Sequence, residues 1–211
     1  MSVVALAIAA VLLAPERACY ILIARAPDAF LRLSARWRWT RRGGPTAVVE
    51  RLFWVFKGLQ FAVFIAWCAI HAGAFPVPVL SDPFVVGLVA VLVIAGQTLV
   101  IATFYRLGRT GVFFGDQLGY AVRRCEDFPF SMLAHPQYVG TLLTIWGGFV
   151  LMRFPHDDWY ALPALETVYY LAGIWLEVPR AGYFTRYASI TFKMRSLAAR
   201  LTEGSERSRP T

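Results

Sequence analysis

The sequence predicts an all-α, polytopic integral membrane protein with four transmembrane helices and a short N-terminal half-helix. Three observations carry this. Apolar residues make up 58% of the 211-residue chain and charged residues 16%, a balance foreign to soluble domains. The apolar residues are gathered into runs long enough to cross the roughly 30 Å hydrocarbon core of a bilayer. Basic residues are concentrated in alternate connections between those runs, as the positive-inside rule requires of a multi-pass chain. The net charge of +8 therefore points to anionic lipid headgroups rather than to nucleic acid.

The first apolar stretch, Met1 to Ala14, has no preceding Lys or Arg and passes straight into PERACYILIARAP, so it reads as retained rather than cleaved. As a helix it reaches only about 20 Å, which predicts a half-helix or re-entrant segment bent near Pro15. Four longer segments follow: Thr46 to Gly73, Pro83 to Arg106, Tyr138 to Phe154 and Trp159 to Glu177, with Pro45, Pro83 and Pro155 at their ends. Arg32, Arg36, Arg38, Arg41 and Arg42 precede the first of these. Arg106, Arg109, Arg123 and Arg124 follow the second, and Arg180, Arg186, Lys193, Arg195 and Arg200 follow the fourth. These three regions are expected on the cytoplasmic side, and Ala74 to Asp82 and Arg153 to Asp158 on the other.

The connection from Leu107 to Gln137 is too long for a plain turn. Gly111, Gly115 and Gly119 recur in it every four residues, so a helix there presents one glycine face beside Asp116, for close packing on a neighbour or for clearance around a cofactor. No repeat is visible; residues 1–203 read as a single domain and 204–211 as a disordered tail. Cys19, Cys68 and Cys125 have neither metal-ligand nor CxxC spacing and read as small apolar residues.

Charged residues inside membrane spans are costly, so each marks a possible site. Glu166 and Glu177 lie eleven residues apart, nearly on one helical face, with Tyr170 and Gly173 between them. Glu177, at the cytoplasmic end, suits either the hydroxyls or amino group of a soluble cofactor or a cap on an Arg-rich surface. Glu166 is deeper and is expected to pair with Lys57, which shares a face with Glu50 and Gln60; a structural ion pair is favoured there over catalysis. In FPFSMLAHPQYVG, Pro136 starts a helix and holds His135 in extended backbone at its entrance.

Taken together, LGRTGVFFGDQLG, then FPFSMLAHPQYVG, then an apolar span ending in Glu resemble the phospholipid methyltransferase family, and more distantly the isoprenylcysteine carboxyl methyltransferases. The resemblance runs from Tyr105 to Glu177. It rests on Thr110, Gly111, Gly115, Asp116 and Gly119, on His135, Pro136, Tyr138 and Gly140, and on Glu177. The family's adjacent glutamates are here Leu176-Glu177-Val178, and the Gly-x-Gly of animal members is Gly96 alone.

The resemblance implies S-adenosylmethionine as methyl donor. Its contacts fall to His135, Pro136, Tyr138, Gly140, Gly111, Gly115, Glu177 and Arg180. It implies a phospholipid substrate that enters sideways from the bilayer, and a site facing the cytosol in the endoplasmic reticulum or a bacterial inner membrane. Methyl transfer to a protonated headgroup amine needs a base; His135, Glu177 and Glu166 are the candidates, His135 first because its pKa lies near neutrality. No metal is implied. The alternatives are a carboxyl methyltransferase of prenylated cysteine and a non-catalytic lipid-binding subunit.

Overall fold

A computed structural model describes residues 3–36, 43–72, 78, 80–122, 125–152 and 159–177, all within one compact unit, Met1–Glu177. The described residues hold six helices and no strand: α1 Val3–Arg25, α2 Pro27–Ala35, α3 Gly44–Ala72, α4 Pro83–Val112, α5 Pro136–Leu151 and α6 Ala161–Glu177. The expected tail at 204–211 and the end of the 1–203 domain lie outside the described residues.

The expected half-helix is corrected. α1 runs for 23 residues with Pro15 inside it, about 35 Å at 1.5 Å per residue, and is long and apolar enough to cross a membrane. Proline removes one donor from the helix ladder, and the apolar periodicity beyond it restores the rest. Among the described residues, three helices meet the length and composition of a span: Val3–Arg25, Gly44–Ile70 and Pro83–Val112. α5 has 16 residues and α6 has 17, roughly 24–26 Å, so the expected count of four is met only in part.

Helix starts follow the sequence closely. The Asp82 carboxylate accepts from the Phe84 and Val85 amides at 2.9 and 3.3 Å, and Pro83 takes the first turn of α4. Pro136 does the same for α5 with His135 at the N-cap.

In lipid, helices associate by close packing and hydrogen bonds rather than by expulsion of water. α4 and α5 meet at glycine: a Cβ on Gly96 would stand 2.5 Å from the Gly140 carbonyl oxygen, and one on Gly140 the same distance from that of Gly96. Gln97 donates to Thr144 Oγ1 at 3.0 Å across the same seam. α1 packs against both α3 and α6, where the Tyr169 hydroxyl donates to the Ala10 carbonyl at 2.8 Å and Arg25 Nε to the Leu176 carbonyl at 2.6 Å. Large apolar side chains point outward, among them Trp54, Phe84, Val91, Ile94, Ile101 and Trp175, as a lipid-facing surface demands.

The glycine face is also corrected. α4 breaks at Gly108 (φ 64°, ψ 177°) and ends at Val112; residues 113–119 form turns, and Gly119 has φ 85°. Gly111, Gly115 and Gly119 therefore share no helical face. A Cβ on Gly115 would strike the Thr110 carbonyl, whose oxygen accepts from the Gly115 amide at 2.8 Å, so this glycine serves a tight reversal of its own chain.

Candidate functional site

Two apolar clusters fill the bundle, one around Leu13, Trp67, Phe149 and Leu162, the other around Ile23, Phe30, Val48 and Phe113. Between them, α1 inserts two charges in succession. Glu16 and Arg17 are 6% and 5% exposed, and neither was singled out from the sequence, because they follow the bend expected near Pro15 in a half-helix. The signal was present: both are charges within an apolar segment, the criterion that selected Lys57 and Glu166.

Lys57 of α3 stands 3.0 Å from Glu16 Oε1, donates to Gln60 Oε1 at 2.9 Å and reaches the Tyr170 hydroxyl at 3.3 Å. The expected Lys57–Glu166 pair is thereby corrected. Glu166, 2% exposed, instead accepts from Gln60 Nε2 at 2.7 Å, so the amide relays between lysine and carboxylate. Glu16 of α1 takes the ion pair with Lys57, at 3.0 Å. Glu50, expected on the Lys57 face, pairs with Arg109 at 2.6 Å near the helix ends.

Arg17 lies flat over Tyr170, its guanidinium carbon 3.8 Å from the ring centroid, with Tyr138 and Tyr20 at 5.5 and 5.6 Å. Tyr138 packs edge-on against Tyr170 at 5.3 Å and stacks with His135 at 5.9 Å. The structure thus brings Tyr138 into contact with Arg17, with His135 stacked on Tyr138 and outside the lining of the cavity. Burial lowers the pKa of His135 from 6.5, leaving its imidazole neutral at pH 7. Pro136 is buried at the start of α5, and Gly140 packs on α4 rather than at the cluster.

A partly open cavity of about 100 Å³ is lined by Glu16, Arg17, Tyr20, Lys57, Tyr138 and Tyr170, together with Phe113 and Phe114. Phe114 is held at φ 58° with its ring 5.4 Å from that of Tyr20, an uncommon backbone state that marks this wall as locally strained. The cavity shares Phe53, Lys57, Val100 and Thr141 with an apolar trough of about 450 Å³ between α3 and the α4–α5 pair. Phe61 and Ile65 on the rim of the trough are exposed. On the other side, Thr110 lines an open polar cleft of about 590 Å³ with Glu50, Arg51 and Arg109.

Gly111 closes on Leu107 and Val122, and neither it nor Gly115 lines the cavity. α6 ends at Glu177, whose side chain, like Arg180, lies outside the described residues. The buried donors on Arg17 and Tyr20 suit a carboxylate such as the one S-adenosylmethionine carries, while the face of Tyr170 is already taken by Arg17.

Known proteins match part of the chain. The phospholipid methyltransferase profile matches residues 84–180. A phosphatidyl-N-methylethanolamine N-methyltransferase of Arabidopsis thaliana is 25% identical over 119 residues, covering 52% of this chain and 66% of the relative. The phosphatidylethanolamine N-methyltransferase of Mus musculus is 30% identical over 102 residues, 48% and 50% of the two chains. A phosphatidyl-N-methylethanolamine N-methyltransferase of Saccharomyces cerevisiae is 40% identical over 53 residues, 25% and 26% of the two. The matched stretches thus span less than two thirds of the relatives' own lengths, and no solved structure matches. Glu16, Arg17, Lys57 and Gln60 all precede the profile match, while Tyr138, Glu166 and Tyr170 fall inside it. Over residues 84–180, the resemblance to the phospholipid methyltransferase family carried by the TG-xxx-GD-xx-G and HPxYxG elements is borne out.

Proposed function

We propose that the chain is an S-adenosylmethionine-dependent N-methyltransferase. Its substrate is the amine headgroup of phosphatidylethanolamine or its monomethyl or dimethyl derivatives, and its product lies towards phosphatidylcholine. One observation carries the reading: an apolar trough with an exposed rim runs into a buried cavity of cations and aromatic rings, and Lys57 belongs to both. A two-tailed lipid suits this shape, its chains in the trough and its headgroup at the polar end. The bound donor supplies an electrophilic methyl group.

The protein's own residues have three tasks. Lys57 and Arg17 outnumber Glu16 in the cavity lining, and this net positive balance disfavours the ammonium form of a headgroup and so raises the share of neutral amine. Tyr138 and Tyr170 give the walls their aromatic faces and exclude water. His135, neutral and stacked on Tyr138, is the first candidate to carry the proton away, with Glu177 and Glu166 behind it. We read α3 to α6 as the four expected crossings, with the two short helices matched by local bilayer thinning. We place the Arg-rich ends and the site on the cytosolic side, in the endoplasmic reticulum or a bacterial inner membrane.

The test is transfer of label from methyl-labelled S-adenosylmethionine into extracted lipid, separated by thin-layer chromatography. Label in mono-, di- or trimethylated phosphatidylethanolamine supports the proposal. An alkali-labile methyl ester on a prenylated cysteine substrate points instead to the carboxyl methyltransferase, and no transfer with retained lipid binding to a non-catalytic subunit.

A further inference from the structure

Arg17 and Tyr20 sit three residues apart on one face of α1, and both line the cavity. Arg17 Nη1, Arg17 Nη2 and the Tyr20 hydroxyl are all buried and lack a hydrogen-bond partner. Arg17 Nη2 lies 3.4 Å from Glu16 Oε1, but that carboxylate stands closer to Lys57, at 3.0 Å, so the guanidinium is only loosely compensated. Its π-face is covered by Tyr170 while its N–H groups are unsatisfied. Buried donors are nearly always paired, and a planar guanidinium is the side chain best shaped for two oxygens of one oxyanion. Three such donors around one small void describe the missing partner: a group that accepts, carries negative charge and reaches the void from outside.

We propose that Arg17 and Tyr20 form an oxyanion subsite, with Arg17 gripping two oxygens and Tyr20 donating to one of them. Resting on the methyltransferase reading, the two groups of this chemistry that enter are the phosphodiester of the phospholipid and the carboxylate of the methyl donor. The trough reaches the same cavity through Lys57, and a phosphodiester is the first charged group met beyond a lipid's acyl chains.

The experiment uses the full chain in detergent and reads thermal unfolding, which a ligand raises in proportion to its affinity for the folded state. Three ligands are titrated: phosphatidylethanolamine in mixed micelles, diacylglycerol in the same micelles as a phosphate-free control, and S-adenosylhomocysteine, which keeps the carboxylate without a reactive methyl. Tyr20→Phe removes only an unsatisfied hydroxyl, so the ligand-free protein is expected to be as stable as the parent or more so. Its affinity for the oxyanion ligand is expected to fall about tenfold, the worth of one hydrogen bond to a charged group. Arg17→Gln is expected to weaken binding further; should it not fold, Tyr20→Phe decides alone.

Weakening confined to phosphatidylethanolamine assigns the phosphodiester, and weakening confined to S-adenosylhomocysteine assigns the carboxylate. Unchanged affinity of Tyr20→Phe for both overturns the subsite. Loss of affinity without any methyl transfer by the parent protein sinks the proposed reaction and leaves the subsite standing. Transfer with an indifferent Tyr20→Phe does the reverse.

Discussion

Glu16 of α1 and Lys57 of α3 close an ion pair at 3.0 Å between the two apolar clusters of the bundle, with 7% and 16% of their side chains exposed. Burying such a pair gains little over an apolar replacement, but removing one member strands the other charge. Glu16→Gln and Lys57→Met are each expected to destabilise the protein by about 3 kcal/mol, and the double variant by less than the sum. Glu50→Gln, which breaks the open pair with Arg109, is expected to cost about 1 kcal/mol or less. Denaturation of the four variants in one detergent checks this; additive losses would mean the buried pair is not coupled.

The His135 ring rests on Tyr138 at the start of α5. His135→Ala and Glu177→Gln are each expected to lower methyl transfer at least ~10-fold, about 1.4 kcal/mol of transition-state binding, with folded protein retained. Burial favours neutral imidazole, so its folded pKa lies below 6.5; a base is active above that value and lost as pH falls through it. The acid limb of kcat is thus expected below pH 6.5 and absent in whatever activity His135→Gln retains. Full activity of both first variants would remove these residues from the reaction.

Gly148 lines the apolar trough, and a Cβ there meets nothing within 4 Å. Gly148→Leu is expected to fill the trough, raising KM for lipid several-fold while KM for the methyl donor and thermal stability hold. Gly140→Ala meets the Gly96 carbonyl and is expected to cost about 1–3 kcal/mol of stability instead. A Gly148→Leu enzyme with unchanged lipid KM would show that acyl chains lie elsewhere.

Basic residues alternate along the chain, and a Cys placed at Ser81, ahead of the Asp82 cap, is expected to react with an impermeant label only from the non-cytosolic face. A Cys at Ser205 is expected to react only from the cytosol. Labelling of residue 81 from the cytosol would invert the topology.

Helix existence was legible because apolar runs and proline boundaries are local: Pro83 and Pro136 begin α4 and α5 where the sequence puts them. What escaped depends on partners. Proline at 15 reads locally as a bend, yet the helix continues, since α3 and α6 flank it and reward its length. A spacing of four at Gly111, Gly115 and Gly119 reads as a helical face until Gly108 breaks the helix and Gly119 turns left-handed. Lys57 was legible as an important charge, and its true partner was not, because choosing Glu16 over Glu166 requires the packing of α1 on α3. Tyr138 and His135 came from a local motif; Tyr138 meets Arg17, and His135 reaches the cluster only through Tyr138.

The polar centre draws on α1, α3, α5 and α6, whose contributions are separated by as much as the distance from Glu16 to Tyr170 in sequence. During synthesis α1 therefore enters the bilayer more than a hundred residues before the ring that covers Arg17 exists. Until then Glu16 and Arg17 have each other, then Lys57, and the rings of Tyr20 and Tyr138. The centre is complete only when α6 is made, so a chain interrupted before Tyr170 leaves Arg17 without the ring that covers it.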